Sequence, residues 1–337
     1  MSDFDDSLLD DQDALSRIDE QLRALAGTGA RIRIDAAELC HPDFGPDYRP
    51  RGIVIVGPEA RLVRALLEPC CPVPVVAWPF AGLPAWTGPL DLVVVLAGAA
   101  EVGQDEVSSA SEAVRRGAAV LAAAPDDSQV ARAAGSSSTV HIRTRSADAL
   151  GSAVAAMSVL HELGLCPPVR PADVAETADM VAEESSPFHD LSGNPAKDLA
   201  LALADAMPLT WGGSVLAARA ARRVAEALRR ASSRPALSAV SGELLPVIEG
   251  APVRDPFADP EDGPAELRPV LVVFDDDEHN PAIDEQRDRL VASAGLHDVR
   301  VCTISATTGG TLDRYVTLRQ KGLYGAAYLE LGLSGQN

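Results

Sequence analysis

Residues 194–214 read NPAKDLALALADAMPLTWGGS. Asn194 before Pro195 opens a helix, because proline lacks the N–H that a first helical turn leaves unpaired anyway. Leu199, Leu201, Leu203 and Met207 carry its apolar surface. Residues 208–211 then form a short buried strand. Gly212-Gly213-Ser214 turn the backbone tightly into a helix over 215–231. In parallel α/β proteins such a strand–glycine–helix turn gathers ligands, since helix N–H groups point out from the carboxyl edge of the sheet. Gly212, Gly213 and Ser214 are therefore the first candidate site.

The same alternation runs outward in both directions. Towards the N-terminus, 52–56, 74–78, 90–96, 118–123 and 139–142 are strands, several apolar throughout, as expected for a sheet covered on both faces. Helices to 67, over 104–116 and over 147–163 separate them. Towards the C-terminus, 235–240 and 243–248 read as short extended segments, 269–274 and 299–304 as strands, 282–294 and 311–331 as helices. Residues 250–268 are a proline- and acid-rich loop. The pattern predicts an α/β fold of two doubly wound parallel-sheet, three-layer domains. The expected division is an acidic, weakly helical arm over 1–30 (loosely docked at its start), a domain over 31–165, a linker over 166–193 and a domain over 194–337.

Composition narrows the function. The net charge of −20 leaves no basic face for nucleic acid. The acidic start MSDFDDSLLDDQD holds no apolar signal region, and no run approaches the ~18–20 apolar residues of a membrane span. A cytoplasmic protein with reduced thiols is expected, because Cys40, Cys70, Cys71, Cys166 and Cys302 have no zinc-type spacing. Adjacent Cys70 and Cys71 read better as small buried hydrophobes than as a redox couple. No cofactor or metal is implied. The acids after strand 269–274, Asp275-Asp276-Asp277-Glu278-His279, read as a divalent-metal loop or as a solvated turn, the turn being favoured. Arg219, Arg222, Arg223, Arg229, Arg230 and Arg234 are either an anion site or one solvated helix face with paired acids. The last helix has an apolar stripe of Leu312, Tyr315, Val316, Leu323, Ala327 and Leu331, which suits its own sheet or a second subunit.

Four stretches carry a family likeness. They are residues 72–96 (PVPVVAWPFAGLPAWTGPLDLVVVL) with 111–125 (SEAVRRGAAVLAAAP), then the opening stretch, 269–295 (PVLVVFDDDEHNPAIDEQRDRLVASAG) and 312–333 (LDRYVTLRQKGLYGAAYLELGL). In order and spacing they resemble the bacterial and archaeal bifunctional phosphoglucose/phosphomannose isomerases, dimers built from two sugar-isomerase (SIS) domains. The resemblance implies two SIS-type domains, a homodimer, and aldose–ketose isomerisation of a sugar 6-phosphate. That chemistry needs hydroxyls and N–H groups for the phosphate, a carboxylate base and a ring-opening histidine.

Position by position, the implied chemistry is missing. The family's Ser-x-Ser-Gly-x-Thr phosphate loop falls on Ala97-Gly98-Ala99-Ala100-Glu101-Val102, without hydroxyls. After the first strand, Gly57 is followed by Pro58, which lacks an N–H, and by Glu59, which brings a negative charge to a helix start. The base glutamate, five residues before a Pro-Ala pair, falls on Arg230, and guanidinium is no base near neutral pH. The histidine of the Glu-Leu-Asn-His-Asn-Glu stretch falls on Pro246, although Glu243-Leu244 match its start. The family's terminal lysine has no counterpart up to Asn337. The resemblance therefore implies a catalytically degenerate member, binding a carbohydrate derivative such as a sugar phosphate or regulating a protein partner in sugar-phosphate or sugar-nucleotide metabolism. Gly57, Ala97, Ala99, Gly212, Gly213, Ser214, Arg230 and Glu243 are its candidate ligand residues. The alternatives are an active isomerase using Glu243, Glu249 or His189, and a pure assembly partner for another enzyme.

Overall fold

The computed structural model describes residues 4–39, 42–45, 48–98, 103–252 and 267–334. An N-terminal arm begins with a 3-10 turn, Asp6–Leu9, followed by α1 (Gln12–Arg17) and α2 (Asp19–Ala26). Then come α3 (Thr28–Ala36), β1 (Ile53–Val56), α4 (Ala60–Leu67), β2 (Val75–Ala77), β3 (Leu92–Leu96) and α5 (Gln104–Arg115). These are followed by β4 (Ala119–Ala124), α6 (Gln129–Ala133), β5 (Thr139–Arg143), α7 (Ala149–Glu162) and α8 (Pro171–Glu184). The second half holds α9 (Pro195–Ala202), β6 (Ala206–Gly212), α10 (Val215–Ser232), β7 (Leu237–Ser238) and α11 (Ser241–Glu249). It ends with β8 (Arg268–Asp275), α12 (Pro281–Leu296), β9 (Arg300–Ser305) and α13 (Thr311–Leu333).

The chain divides into two compact units, Thr28–Glu176 and Met1–Gly27 with Thr177–Asn337. The arm expected to precede the first domain thus groups with the second. The division falls inside α8.

In the unit Thr28–Glu176, all strands are parallel in the order β2-β1-β3-β4-β5. Alternation decides the faces. Val54, Val56, Val93, Val95, Val120 and Ala122 form one core with Ala110 and Ala113 of α5 and Val130 of α6. The intervening Ile53, Ile55, Leu92, Val94 and Leu121 are also buried, and α4 and α7 pack on β1, β3 and β4. Helix α3, which the sequence pattern does not announce, lies against α7, where Gly151 leaves room for the Asp35 carboxylate.

In the other unit the parallel order is β7-β6-β8-β9. Leu209, Trp211, Leu271 and Val273 pack with Leu244, Leu245 and Ile248 of α11 and Leu290 and Ala294 of α12. Thr210 is out of phase and faces α10, where its hydroxyl donates to the Ala221 carbonyl at 3.2 Å. Asn194 caps α9 as its sequence implies: Oδ1 accepts from Ala196 N at 3.0 Å and Lys197 N at 3.2 Å.

Three expectations change here. Residues 243–248 are helical: Leu244, Leu245 and Ile248 form one buried face with α12, which overrides the strand propensity of the Val-Ile run. The arm is firmly docked, with Leu9, Leu15, Ile18 and Leu22 buried. Cys70 is exposed and Cys71 half-buried, so neither is a core residue, because the helix they follow has already ended at Leu67. The stripe on α13 is buried apart from a half-buried Leu323, with α9, α10 and the arm as neighbours. The loop expected over 250–268 lies largely outside the described residues.

Candidate functional site at the two strand-order reversals

In an open parallel sheet, ligands collect where the strand order reverses, beyond the carboxyl ends of the two strands that part there. In the unit Thr28–Glu176 this point lies between β1 and β3. It brings together two residues named from sequence, Gly57 and Ala97. Gly57 has φ of 110°, open to glycine alone at low cost, and a Cβ there would collide with the Leu96 carbonyl. Ala97 is buried and its N–H donates to Ala123 O at 2.8 Å. Gly98 presses on Ser152 and on the Asp148 carbonyl. Glu59 stands buried in the N-cap position of α4 without a side-chain capping bond. A buried carboxylate thus stands at the edge where the resemblance implies a phosphate. Ala99, with Ala100, Glu101 and Val102, lies outside the described residues.

A second anion niche in this unit has no signal in the sequence. The N–H groups of Arg145 and Ser146, ahead of α7, both point at Asp35 Oδ1, at 2.7 and 2.9 Å. The Ser146 hydroxyl donates to Asp35 Oδ2. Converging N–H groups of this kind bind anions. Here the anion is the chain's own, brought from α3 by a contact 110 residues apart in sequence.

In the unit containing Thr177–Asn337, the reversal lies between β6 and β8. Gly212, Gly213 and Ser214 all stand at it. Gly212 lies against the backbone of Ala217 and Ala218, which lets α10 start directly above the strand. Ser214 caps α10: its Oγ accepts from Ala217 N at 3.0 Å and donates to Asp276 Oδ2. Both Ser214 and Asp276 are buried. The Arg314 guanidinium holds the Asp276 backbone carbonyl at 2.6 Å. From sequence, Asp276 is a candidate for metal binding only. Its place opposite Ser214, 62 residues away, makes it the functional residue that sequence reasoning misses. A strong strand ending in acids at a sheet's carboxyl edge is the available signal.

The neighbouring acids are also engaged. Asp275 accepts from Asp277 N at 3.0 Å and lies 3.5 Å from Arg287, which also pairs with Asp284 at 2.6 Å. Among the described residues, no group of three or more His, Cys, Asp or Glu is placed to hold a metal ion.

Glu243 is exposed in the first turn of α11, just beyond β7, and β7 runs beside β6. It therefore shares the carboxyl edge with Ser214. Arg230 does not. Helix α10 runs back from Ser214, and sixteen residues at ~1.5 Å each place Arg230 about 24 Å away, exposed at the opposite edge. One niche holding both Ser214 and Arg230 is therefore ruled out within a single unit. The other arginines of this stretch are largely engaged. Arg223 pairs with Glu226 at 3.2 Å, Arg229 donates to Ala236 O at 2.6 Å, and Arg234 donates to Ala204 O. Pro246 and Glu249 are exposed on α11, and His189 is exposed ahead of α9.

Comparison with known proteins agrees with this architecture. Residues 192–331 match the family model of the bacterial phospho-glucose isomerase C-terminal SIS domain. No curated protein matches the sequence. Among solved structures, the chain is similar to a glucose-6-phosphate isomerase like protein from Thermus thermophilus, at 17% identity and a TM-score of 0.50, over 98% of this chain and 93% of that one. It is similar to the C-terminal domain of glucosamine-fructose-6-phosphate aminotransferase from Francisella tularensis, at 12% identity and a TM-score of 0.60, over 95% and 96%. It is also similar to tagatose-6-phosphate ketose/aldose isomerase from Escherichia coli, at 12% identity and a TM-score of 0.57, over 96% and 90%. The shared property is the fold: parallel α/β sheets with helices on both sides. Among the described residues no helix is long and apolar enough to cross a membrane.

Proposed function

We propose that this chain is a non-catalytic SIS-fold protein that serves sugar-phosphate metabolism as a regulatory subunit rather than as a phosphate-binding one. The observation that carries the reading is the Asp276 carboxylate on Ser214 at the start of α10. A helix N-terminus and a serine hydroxyl are what a phosphate group needs, and here the hydroxyl donates to a buried carboxylate beside that N-terminus. A phosphate dianion brought there would meet negative charge, not donors. Glu59, buried two residues beyond Gly57 at the first reversal, supports the same conclusion. So does Arg230, which can neither abstract a proton nor reach Ser214 within its unit.

The test is a coupled isomerase assay with glucose-6-phosphate and mannose-6-phosphate, run beside calorimetric titration of the same sugars. The expected result is no turnover above background and no binding tighter than millimolar. Turnover that is lost on Glu243→Gln would establish the alternative, an isomerase using a rearranged carboxylate. The exposed place of Glu243 on the same edge as Ser214 is the observation favouring that second reading.

A further inference from the structure

Lys197 is completely buried, yet it carries a charge whose burial is costly unless the group is paired and hydrogen-bonded. Its ammonium has three protons and finds three oxygens: Asp10 Oδ1 at 2.8 Å, His189 O at 2.7 Å and Pro187 O at 3.3 Å. It also stands 5.6 Å from the centre of the Tyr328 ring, within cation–π range. The Tyr328 hydroxyl in turn donates to Ser185 O at 2.8 Å. One ammonium on α9 therefore joins the arm, the loop after α8 and α13.

The arm's side of this contact is wetter. Asp10 is 47% exposed in its side chain, and its Oδ2 accepts from Leu191 N at 3.2 Å. A cavity of about 700 Å³ opens beside it, lined in part by Asp190, Asn194 and Asp198. The rest of the arm's hold is mostly apolar: Leu9, Leu15, Ile18 and Leu22 are buried, and Phe4 lies on Gly332. Apolar burial is large but not directional, and the Asp5 N–H to Gly332 O bond, 2.9 Å, registers only the arm's start on α13. A buried lysine fixes the arm further along, because any slip strands the charge without its carboxylate.

We propose that the Asp10–Lys197 ion pair is a latch that fixes the docked position of the N-terminal arm, so that loss of the Asp10 charge frees the arm while the sheet below stays folded. Lys197 is then a positioning residue with no part in ligand chemistry.

Hydrogen exchange on the full chain tests this. In Asp10→Asn, amides of residues 9–26 should exchange about tenfold faster or more, while those of β6 and β8 keep the wild-type rate. Asp10→Glu, which keeps the charge, should recover most of the protection. Raising salt from about 0.05 to about 0.5 M should speed arm exchange in the wild type and leave Asp10→Asn unchanged, because a half-exposed pair is screened. Lys197→Met should free both the arm and residues 185–191. Arm exchange in Asp10→Asn within twofold of wild type would overturn the latch. So would equal acceleration of β6 and β8, which would make the pair a general stability contact.

Discussion

The two strand-order reversals differ in what stands at them. Between β1 and β3 it is close-packed main chain: Gly57 lies against the Leu96 carbonyl, and Gly98 against the Asp148 carbonyl and Ser152. Between β6 and β8 it is one side chain, Asp276, which accepts from the Ser214 hydroxyl that caps α10. Close-packed backbone belongs to the sheet and cannot be changed without disturbing it. A single carboxylate can be neutralised by one substitution. The two reversals therefore call for different tests.

The largest expected effect attacks the first reversal. Gly57→Ala puts a Cβ at positive φ and into the Leu96 carbonyl, and should cost about 3 kcal/mol in urea unfolding. A loss below about 1 kcal/mol would show that this turn is looser than its geometry implies. Next comes the second reversal. Asp276→Asn keeps an acceptor for Ser214 but removes the charge. At ~6 Å and an effective dielectric near 20, one charge is worth about 2.8 kcal/mol. Inorganic phosphate should therefore bind the variant on the order of a hundredfold more tightly than the wild type, by calorimetry. Equal affinity would mean that Asp276 is not what excludes anions. The paired variant Ser214→Ala should cost about 2 kcal/mol in stability, losing the α10 cap and leaving Asp276 buried without its hydroxyl. The smallest effect concerns Glu243's helix. Pro246 lies exposed inside α11, where its missing N–H weakens the ladder. Pro246→Ala should raise stability by about 1 kcal/mol in thermal unfolding. A fall would argue that α11 is held by contacts that need the proline.

What the sequence makes legible is what depends on neighbours in the chain. The continuous apolar runs of β3 and β8 announce buried parallel strands, and Asn194-Pro195 and Asn280-Pro281 announce helix starts through local caps. The Gly212–Ser214 turn can be placed at the carboxyl edge of a parallel sheet from the strand–glycine–helix order alone. What stays hidden needs partners far along the chain. Ser214 looks like an available hydroxyl until Asp276 is seen to hold it. The Arg145–Ser146 niche exists only because α3 delivers Asp35. Residues 243–248 look extended because a proline argues against a helix interior and the Val-Ile run suits a strand, and only packing against α12 settles them as a helix.

The docking of the arm has a consequence for synthesis. Its buried leucines are made roughly 300 residues before α13, against which they pack. At ~5–20 residues per second, the nascent arm waits about 15 to 60 s for its seat. The aspartates that flank Leu8, Leu9 and Leu15 put charge beside those leucines during the wait, which favours solubility. Asp10 among them is the charge that the finished latch keeps.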